Sequence, residues 1–384
     1  MHSRAKYFFI FAIFLVSILF LYIGWELIIP LSRFFYVKAL AWAVLFLMFG
    51  SILSMPLFFW RRDRGNHGFL SLCMVQFAYF SMATTSFLFT YTMLRDLLRV
   101  AAGVAGVYLS FLWGQNSGLG ILILTIASVA LGACLARKTP KIKQVKIPFE
   151  GISEDMKKFK IVQLSDLHIG AGIRRDFVKK VVERVNELQP QLIVLTGDII
   201  DGAVHAHLDS IAELSNLKAD CGVFYVPGNH EYYWNIDKCL AAMCANKNIH
   251  VLLNNFAEIS WESVHFVLAG VTDVFGGNFS PEHKCDPKKA IALTDPMSFK
   301  ILLAHQPGVA QEAAGLGYHL QISGHTHGGQ FFPWTFVVKL FHPVDRGLKK
   351  INNMWVYVSC GTGSWGPWVR LGAPAEITSI RFTS

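Results

Sequence analysis

Cysteine is sparse and irregularly placed in this chain: seven residues in 384, an odd number, with no Cys-x-x-Cys spacing. That pattern excludes a disulfide framework and a structural zinc site closed by thiolates. Scattered thiols fit a reducing compartment. Also missing is a basic stripe with interleaved aromatics, although the formal net charge is +9. From Ile147 onward 21 Lys and Arg face 23 Asp and Glu, so the positive excess lies entirely before that point. The footprint of a nucleic-acid binder is therefore absent, and no nucleic-acid partner is expected. No internal repeat and no low-complexity tract is present.

What the chain has instead is apolar length, crowded into its first third. Four stretches each approach or exceed the roughly 20 apolar residues that a membrane-spanning helix needs. They begin at Tyr7 (YFFIFAIFLVSILFLYIGWELIIP), Tyr36 (YVKALAWAVLFLMFGSILSMPLFFW), Phe69 (FLSLCMVQFAYFSMATTSFLFTYTML) and Gly118 (GLGILILTIASVALGACLA). The first follows MHSRAK as a secretory signal would, but it is too long and no small-residue cleavage site follows. The segment from Arg95 (RDLLRVAAGVAGVYLSFLWGQNSG) has a short apolar core with Arg99 near its start, which favours an interfacial or partly re-entrant helix over a fifth span.

With four spans, one membrane face receives Arg4, Lys6, Arg61, Arg62, Arg64, Arg137, Lys138, Lys141, Lys143 and Lys146. The other receives only Arg33, Lys38, Arg95 and Arg99. The positive-inside bias then places both termini in the cytoplasm, with the basic segment against anionic head groups. The expected organisation is a multi-pass transmembrane domain over 1–137, a basic linker over 138–157 and a soluble domain over 158–384.

In the soluble part, short apolar runs alternate with amphipathic segments. KIVQLSD from Lys160, QLIVLTGD from Gln191, GVFYVPGNH from Gly222, HFVLAGVTD from His265, KILLAHQP from Lys300 and HLQISGH from His319 read as strands, with MWVYVSCG and EITSIRF closing the series. RRDFVKKVVERVNELQP from Arg174 and NIDKCLAAMCANKN from Asn235 read as helices. This alternation predicts an α/β domain with its sheet covered on both faces.

Polar signatures sit where the strands end: SDLHIG, TGDIID, PGNHEYYW, AHQP and SGHTHGG. In open α/β sheets that is where loops converge on ligands. Carboxylate, imidazole and amide oxygen together suit borderline divalent cations such as Mn, Fe or Zn. Taken singly, each signature has a plainer explanation. Asp166 and His168 could belong to a turn, Asp198 could cap a segment, Asn229 and His230 could stabilise the turn after Pro227-Gly228, and His305 could be a satisfied core histidine. Five such coincidences at five strand ends favour one metal site.

The ordered set D-x-H, G-D, G-N-H-E, H and G-H-x-H resembles the calcineurin-like metallophosphoesterases, over about residues 158–384. SDLHIG, VPGNHEYY, SGHTHGGQFFPW and the tail VYVSCGTGSWGPWVRLGAPAEI are similar to one subfamily, membrane-associated bacterial phosphoesterases and transmembrane proteins with a metallophosphoesterase domain. The resemblance implies a calcineurin-like α/β sandwich and a dinuclear centre. Asp166, His168 and His327 would hold one metal, Asn229, His305 and His325 the other, and Asp198 would bridge both. Two cations about 3.5–4 Å apart need an anion between them, and they clamp the attacking and leaving oxygens of an in-line displacement. His230 would donate a proton to the leaving oxygen or stabilise the transition state.

Asp201, Glu231 and Asp273 are either partners of the ligand histidines or solvated loop acids. His205, His207, His283 and His342 lie outside the five signatures. Tyr232-Tyr233-Trp234 either lines a lipid or nucleobase pocket or packs at the sheet edge, and Trp334, Trp365 and Trp368 either enter the head-group layer or pack in the core. Where the subfamily has Arg, this chain has Cys360. Some relatives hydrolyse the pyrophosphate of UDP-2,3-diacylglucosamine in lipid A synthesis. The resemblance therefore implies a metal-dependent hydrolase acting on a phosphorylated lipid or nucleotide at the bilayer. The rival readings are a broad phosphodiesterase on soluble nucleotides and a catalytically silent membrane sensor or scaffold.

Overall fold

The computed structural model describes residues 2–30, 35–60, 69–170, 172–342 and 344–384, and the side chains at 2–6, 8, 9, 56–60 and 69–72 lie outside the description. The chain divides into two compact units, Met1–Cys134 with Gly366–Val369, and Leu135–Trp365 with Arg370–Ser384.

The first unit is helical: α1 His2–Ile23, α2 Phe35–Trp60, α3 Phe69–Val104 and α4 Gly114–Ala136, with a π-helical turn at Gly24–Ile28 extending α1. A β-carbon on Gly24 would lie 2.1 Å from the Trp42 ring, so glycine is what lets α2 approach that turn. Among the described residues three segments are long and apolar enough to cross a membrane, Ile10–Ile28, Phe35–Met55 and Gly114–Ala136. Four were expected. The stretch from Phe69 lies in α3, where Gln76, Ser81, Thr84, Thr85, Ser86, Thr90 and Thr92 dilute the apolar character. Several of those hydroxyls are satisfied within the helix itself, as Ser81, Thr90 and Thr92 donate to the carbonyls of Phe77, Ser86 and Leu88.

The segment from Arg95 is not a separate interfacial helix. Arg95 to Val104 continues α3, and a hairpin then enters α4. Arg99 closes that hairpin, donating to the Leu112 carbonyl and lying 4.5 Å from the Trp113 ring. Arg95 is 5% exposed and pairs with Glu26 and Asp96, so these charges offset one another. Of the charges that set the expected orientation, Arg33, Arg61, Arg62 and Arg64 lie outside the described residues.

The second unit is α/β. Its strands are β1 Lys141–Pro148, β2 Lys160–Leu164, β3 Ile169–Gly170, β4 Leu192–Thr196, β5 Ile200–Asp201, β6 Val223–Val226 and β7 Ile249–Val251. They continue with β8 Asn255–Trp261, β9 Val264–Gly270, β10 Lys300–Leu303, β11 Leu320–Ser323, β12 Gly347–Ile351, β13 Met354–Val358 and β14 Glu376–Thr383. One six-stranded sheet has the order β1-β14-β2-β4-β6-β7, the other β12-β13-β11-β10-β9-β8, and β3 pairs with β5.

Alternation along the strands builds the sandwich. Ile161, Leu192, Val194, Ile301, Leu303, Leu320 and Ile322 meet in one core between the sheets. Leu302, Val356 and Val358 point the other way and pack on Ala310 and Ala313 of the helix Ala310–Gly315. The basic segment expected as a linker is folded. Lys141–Pro148 pairs in parallel with β14, burying Val145 and Ile147 while Lys146 stays exposed, and Glu154–Lys158 is a short helix. Its period-two pattern is that of an edge strand.

Candidate metal centre

The sandwich brings five strand ends to one place. Asp166 and His168 follow β2, Asp198 follows β4, Asn229 and His230 follow β6, His305 follows β10, and His325 and His327 follow β11. Because β2-β4-β6 and β10-β11 are neighbours in facing sheets, their carboxyl ends converge. Asp166, His168, Asp198, His325 and His327 all adopt left-handed backbone angles, with φ between 50° and 73°. Non-glycine residues hold such angles at a cost of about 1–3 kcal/mol each and do so chiefly at functional sites.

The side chains form two groups around one carboxylate. His168 Nε2 lies 3.0 Å from His327 Nε2, which lies 3.3 Å from Asp166 Oδ1. His305 Nε2 lies 3.2 Å from Asn229 Oδ1 and 3.3 Å from His325 Nδ1. Asp198 Oδ2 stands 3.2 Å from His305 Nε2 and 3.9 Å from His168 Nε2, between the groups. Six of the seven predicted ligand residues fall in clusters that could hold metal, as does His230 with His168 and Asp198, and Asn229 lies against His305. The donors fit cations chemically. His305 Nδ1–H donates to the Thr196 carbonyl at 2.8 Å, which turns Nε2 toward the centre.

Charge completes the fit. Burial and neighbouring His305 hold His325 down to about 3, and burial, His168 and Arg370 hold His327 well below its ordinary value, so both offer lone pairs at neutral pH. Burial would raise Asp198, but His305 and His230 outweigh it and keep it ionised. Burial would lower His305, yet Asp198 and Asp166 raise it well above the usual range, so it carries a proton when no cation is bound. Cation uptake should therefore release protons, and affinity should weaken roughly tenfold per pH unit for each proton displaced as pH falls. Calorimetric titration of metal-free protein with Mn in buffers of different ionisation enthalpy would check this.

Of the three undecided acids, Asp201 stands beside one predicted ligand histidine, His168, and beside the predicted proton donor, His230. Its Oδ1 is 2.8 Å from His230 Nδ1, its Oδ2 is 3.3 Å from His168 Nδ1, and Trp234 donates to it at 2.6 Å. Glu231 holds backbone instead, accepting from the N–H groups of Asp198, Ile199, Ile200 and Gly228 at 2.7–3.0 Å. It thereby ties the loop of Asp198 to the loop of Asn229. Burial and the Asp198 carboxylate push Glu231 up to about 7, against the pull of those N–H groups. Asp273 accepts from Gln306 and from the Phe275 N–H.

Two neighbours were not legible in the sequence. The His342 ring lies 5.5 Å from that of His325 although a loop separates them. Arg370, 1% exposed, places a guanidinium nitrogen 3.2 Å from His327 Nδ1 and donates to the carbonyls of Cys360, Gly363 and Ala373. The guanidinium near this loop thus comes from Arg370, ten residues beyond Cys360, and only the quoted tail motif marked it.

The motif glycines admit protein atoms as well as any ligand. A β-carbon on Gly324 would sit 1.9 Å from Ser165 Oγ and 2.2 Å from Asp166 Oδ2, and one on Gly329 would sit 2.3 Å from the Trp334 carbonyl. Gly324→Ala should displace Asp166, weaken metal affinity by about 10–100-fold and cost about 1–3 kcal/mol of stability. Metal titration and thermal unfolding of the variant would check both.

The profile of calcineurin-like phosphoesterases matches residues 159–329, which contain all seven residues of the two clusters. A transmembrane protein with metallophosphoesterase domain from Bos taurus is 32% identical over 326 residues, covering 78% of this chain and 73% of the relative. That span extends beyond the α/β unit into the apolar helices. An uncharacterized metallophosphoesterase of Campylobacter jejuni is 32% identical over 266 residues, covering 68% of each chain. Another from Aquifex aeolicus is 32% identical over 264 residues, covering 66% of this chain and 96% of the relative. With His and Asp clusters that could hold metal gathered around Asp198 and relatives matched over most of their length, this chain belongs to the calcineurin-like metallophosphoesterases and carries, among its described residues, three helices long and apolar enough to cross a membrane.

Proposed function

We propose that the chain is a membrane-anchored, dinuclear-metal phosphoesterase that hydrolyses a phosphoester or pyrophosphate bond of a membrane-associated substrate. The observation that carries this reading is the single Asp198 oxygen standing between two sets of nitrogen and oxygen donors. Asp166, His168 and His327 would hold one cation and Asn229, His305 and His325 the other. The donor set favours Mn, Fe or Zn. Bound there, the cations supply positive charge that activates water and clamps the attacking and leaving oxygens.

The protein's own side chains do the rest. Asp201 accepts from His230 Nδ1 and so presents Nε2, 3.9 Å from Asp198 Oδ2, toward the centre. From there Nε2 delivers a proton to the leaving oxygen. The other oxygen of the Asp201 carboxylate stands 3.3 Å from His168 Nδ1.

For the membrane unit we take α3 as a fourth crossing. Leu88 of α3 shares a core with Ile23, Leu45 and Ile121 of the other three helices, and its internally bonded hydroxyls lower the cost of burial in lipid. Four crossings return the chain to its basic, cytoplasmic side. Thiol labelling of a cysteine introduced at Lys143, from outside intact cells, would overturn this orientation.

A substrate confined to the same bilayer, such as UDP-2,3-diacylglucosamine, is the candidate we favour. The test is an assay of detergent-purified protein on nucleotide-linked lipids and model diesters, with and without Mn. Turnover that depends on Mn and prefers the lipid supports the proposal; no Mn-dependent turnover on any member of the panel sinks it.

A further inference from the structure

His230 marks the side of the centre on which the leaving group departs, and two aromatic rings stand there. The Tyr233 ring is centred 5.4 Å from that of His230, tilted at 60°, and the Trp365 ring 6.1 Å away at 77°. Tyr233 is 45% exposed and Trp365 39%, so both keep ring surface open to solvent beside a buried centre.

Neither ring hangs on a loose tether. Gln330, 5% exposed and three residues beyond His327, accepts from the Trp365 N–H at 2.9 Å and donates to its carbonyl at 2.9 Å. Tyr233 sits in the short helix Asn229–Trp234, between His230 and the Trp234 side chain that donates to Asp201. Gln330 thus fixes the backbone beneath Trp365, and the helix that carries His230 fixes the backbone beneath Tyr233. Rigid, half-exposed aromatic rings offer flat faces for stacking at low entropic cost.

We propose that Tyr233 and Trp365 form a leaving-group subsite that takes a planar aromatic ring, as a nucleoside or an aryl group carries. This deepens, and rests on, the phosphoesterase reading and its placement of the leaving oxygen at His230. An aliphatic chain would gain little from two ring faces set around a polar imidazole.

The test uses the full Mn-loaded chain in detergent and three esters of methylphosphate, with 5′-uridyl, p-nitrophenyl and n-octyl leaving groups. Trp365→Ala and Tyr233→Ala should each lower kcat/KM for the uridyl and aryl esters by roughly 5–30-fold and for the octyl ester by less than about twofold. A uridyl loss without an aryl loss would identify a nucleoside subsite, and equal uridyl and aryl losses a general ring subsite; both support the proposal. Equal losses on all three esters, or the largest loss on the octyl ester, would overturn it. Ground-state ligand affinity separates this failure from failure of hydrolysis. Even without turnover, UMP should bind at least about fivefold tighter than methyl phosphate by calorimetry, a preference removed by Trp365→Ala; no preference for UMP overturns the subsite.

Discussion

Replacing Asp198 with Asn should reduce turnover of any phosphoester substrate by about 10³-fold or more, equivalent to about 4 kcal/mol of transition-state stabilisation. It should also leave the purified protein with fewer than two bound cations. Asp198 is 2% exposed and its Oδ2 is the atom common to both donor groups. The Asn side chain keeps the shape and the Oδ1 that accepts from the His230 N–H at 2.8 Å. What it removes is the one negative charge between two positions meant for cations, whose repulsion then has no offset. Elemental analysis and Mn-dependent rates on the same preparation would check both parts. A variant with full metal content and parental rate would refute the bridging role.

Replacing His230 with Gln should lower kcat by about 10²–10⁴-fold while metal content stays unchanged. The imidazole is held by Asp201 and lies 3.9 Å from the shared carboxylate oxygen, but it stands outside both proposed ligand sets. Its proposed contribution is a proton, so the loss should depend on the leaving group. Esters of alcohols should lose most. An ester of p-nitrophenol, whose anion leaves unaided, should lose least. The limb of the pH–rate profile that reports the proton donor should vanish in the variant. An equal loss on both ester types, accompanied by loss of metal, would show that His230 is a ligand instead.

The two predictions rest on residues that were visible for different reasons. Asp198 stands after LIVLTG, an apolar run whose end is marked locally, and the same holds for Asp166, Asn229, His305, His325 and His327. Burial of a strand demands a continuous apolar stretch, and a catalytic group must lie where that stretch stops. Both requirements are local, so they can be read one strand at a time. The roles of Asp201 and Glu231 could not be separated that way. Asp201 turned out to join two imidazoles, whereas Glu231 accepts from four backbone N–H groups. An acidic residue in a loop looks the same in either role until its neighbours are placed.

The same limit explains what was misread. Lys141–Pro148 looks like a charged linker because its basic residues are conspicuous, and only pairing with β14, more than two hundred residues later, makes it a strand. Composition alone does not rank the fourth apolar stretch with the other three, because hydroxyls weaken its signal while their bonds to carbonyls one turn back are invisible there. Arg370 reaches His327 because a closing loop folds back on the centre. By itself, then, the sequence determined eight of the fourteen described strands, the α/β class, the apolar helices and the identity of the residues at the strand ends, since each depends on patterning within a few residues. The tertiary structure alone decided which of those residues share an atom, which acid orients which histidine, and which aromatic rings stay open beside His230. Those relations are contacts between segments far apart in the chain, formed only when the two sheets close on a common core.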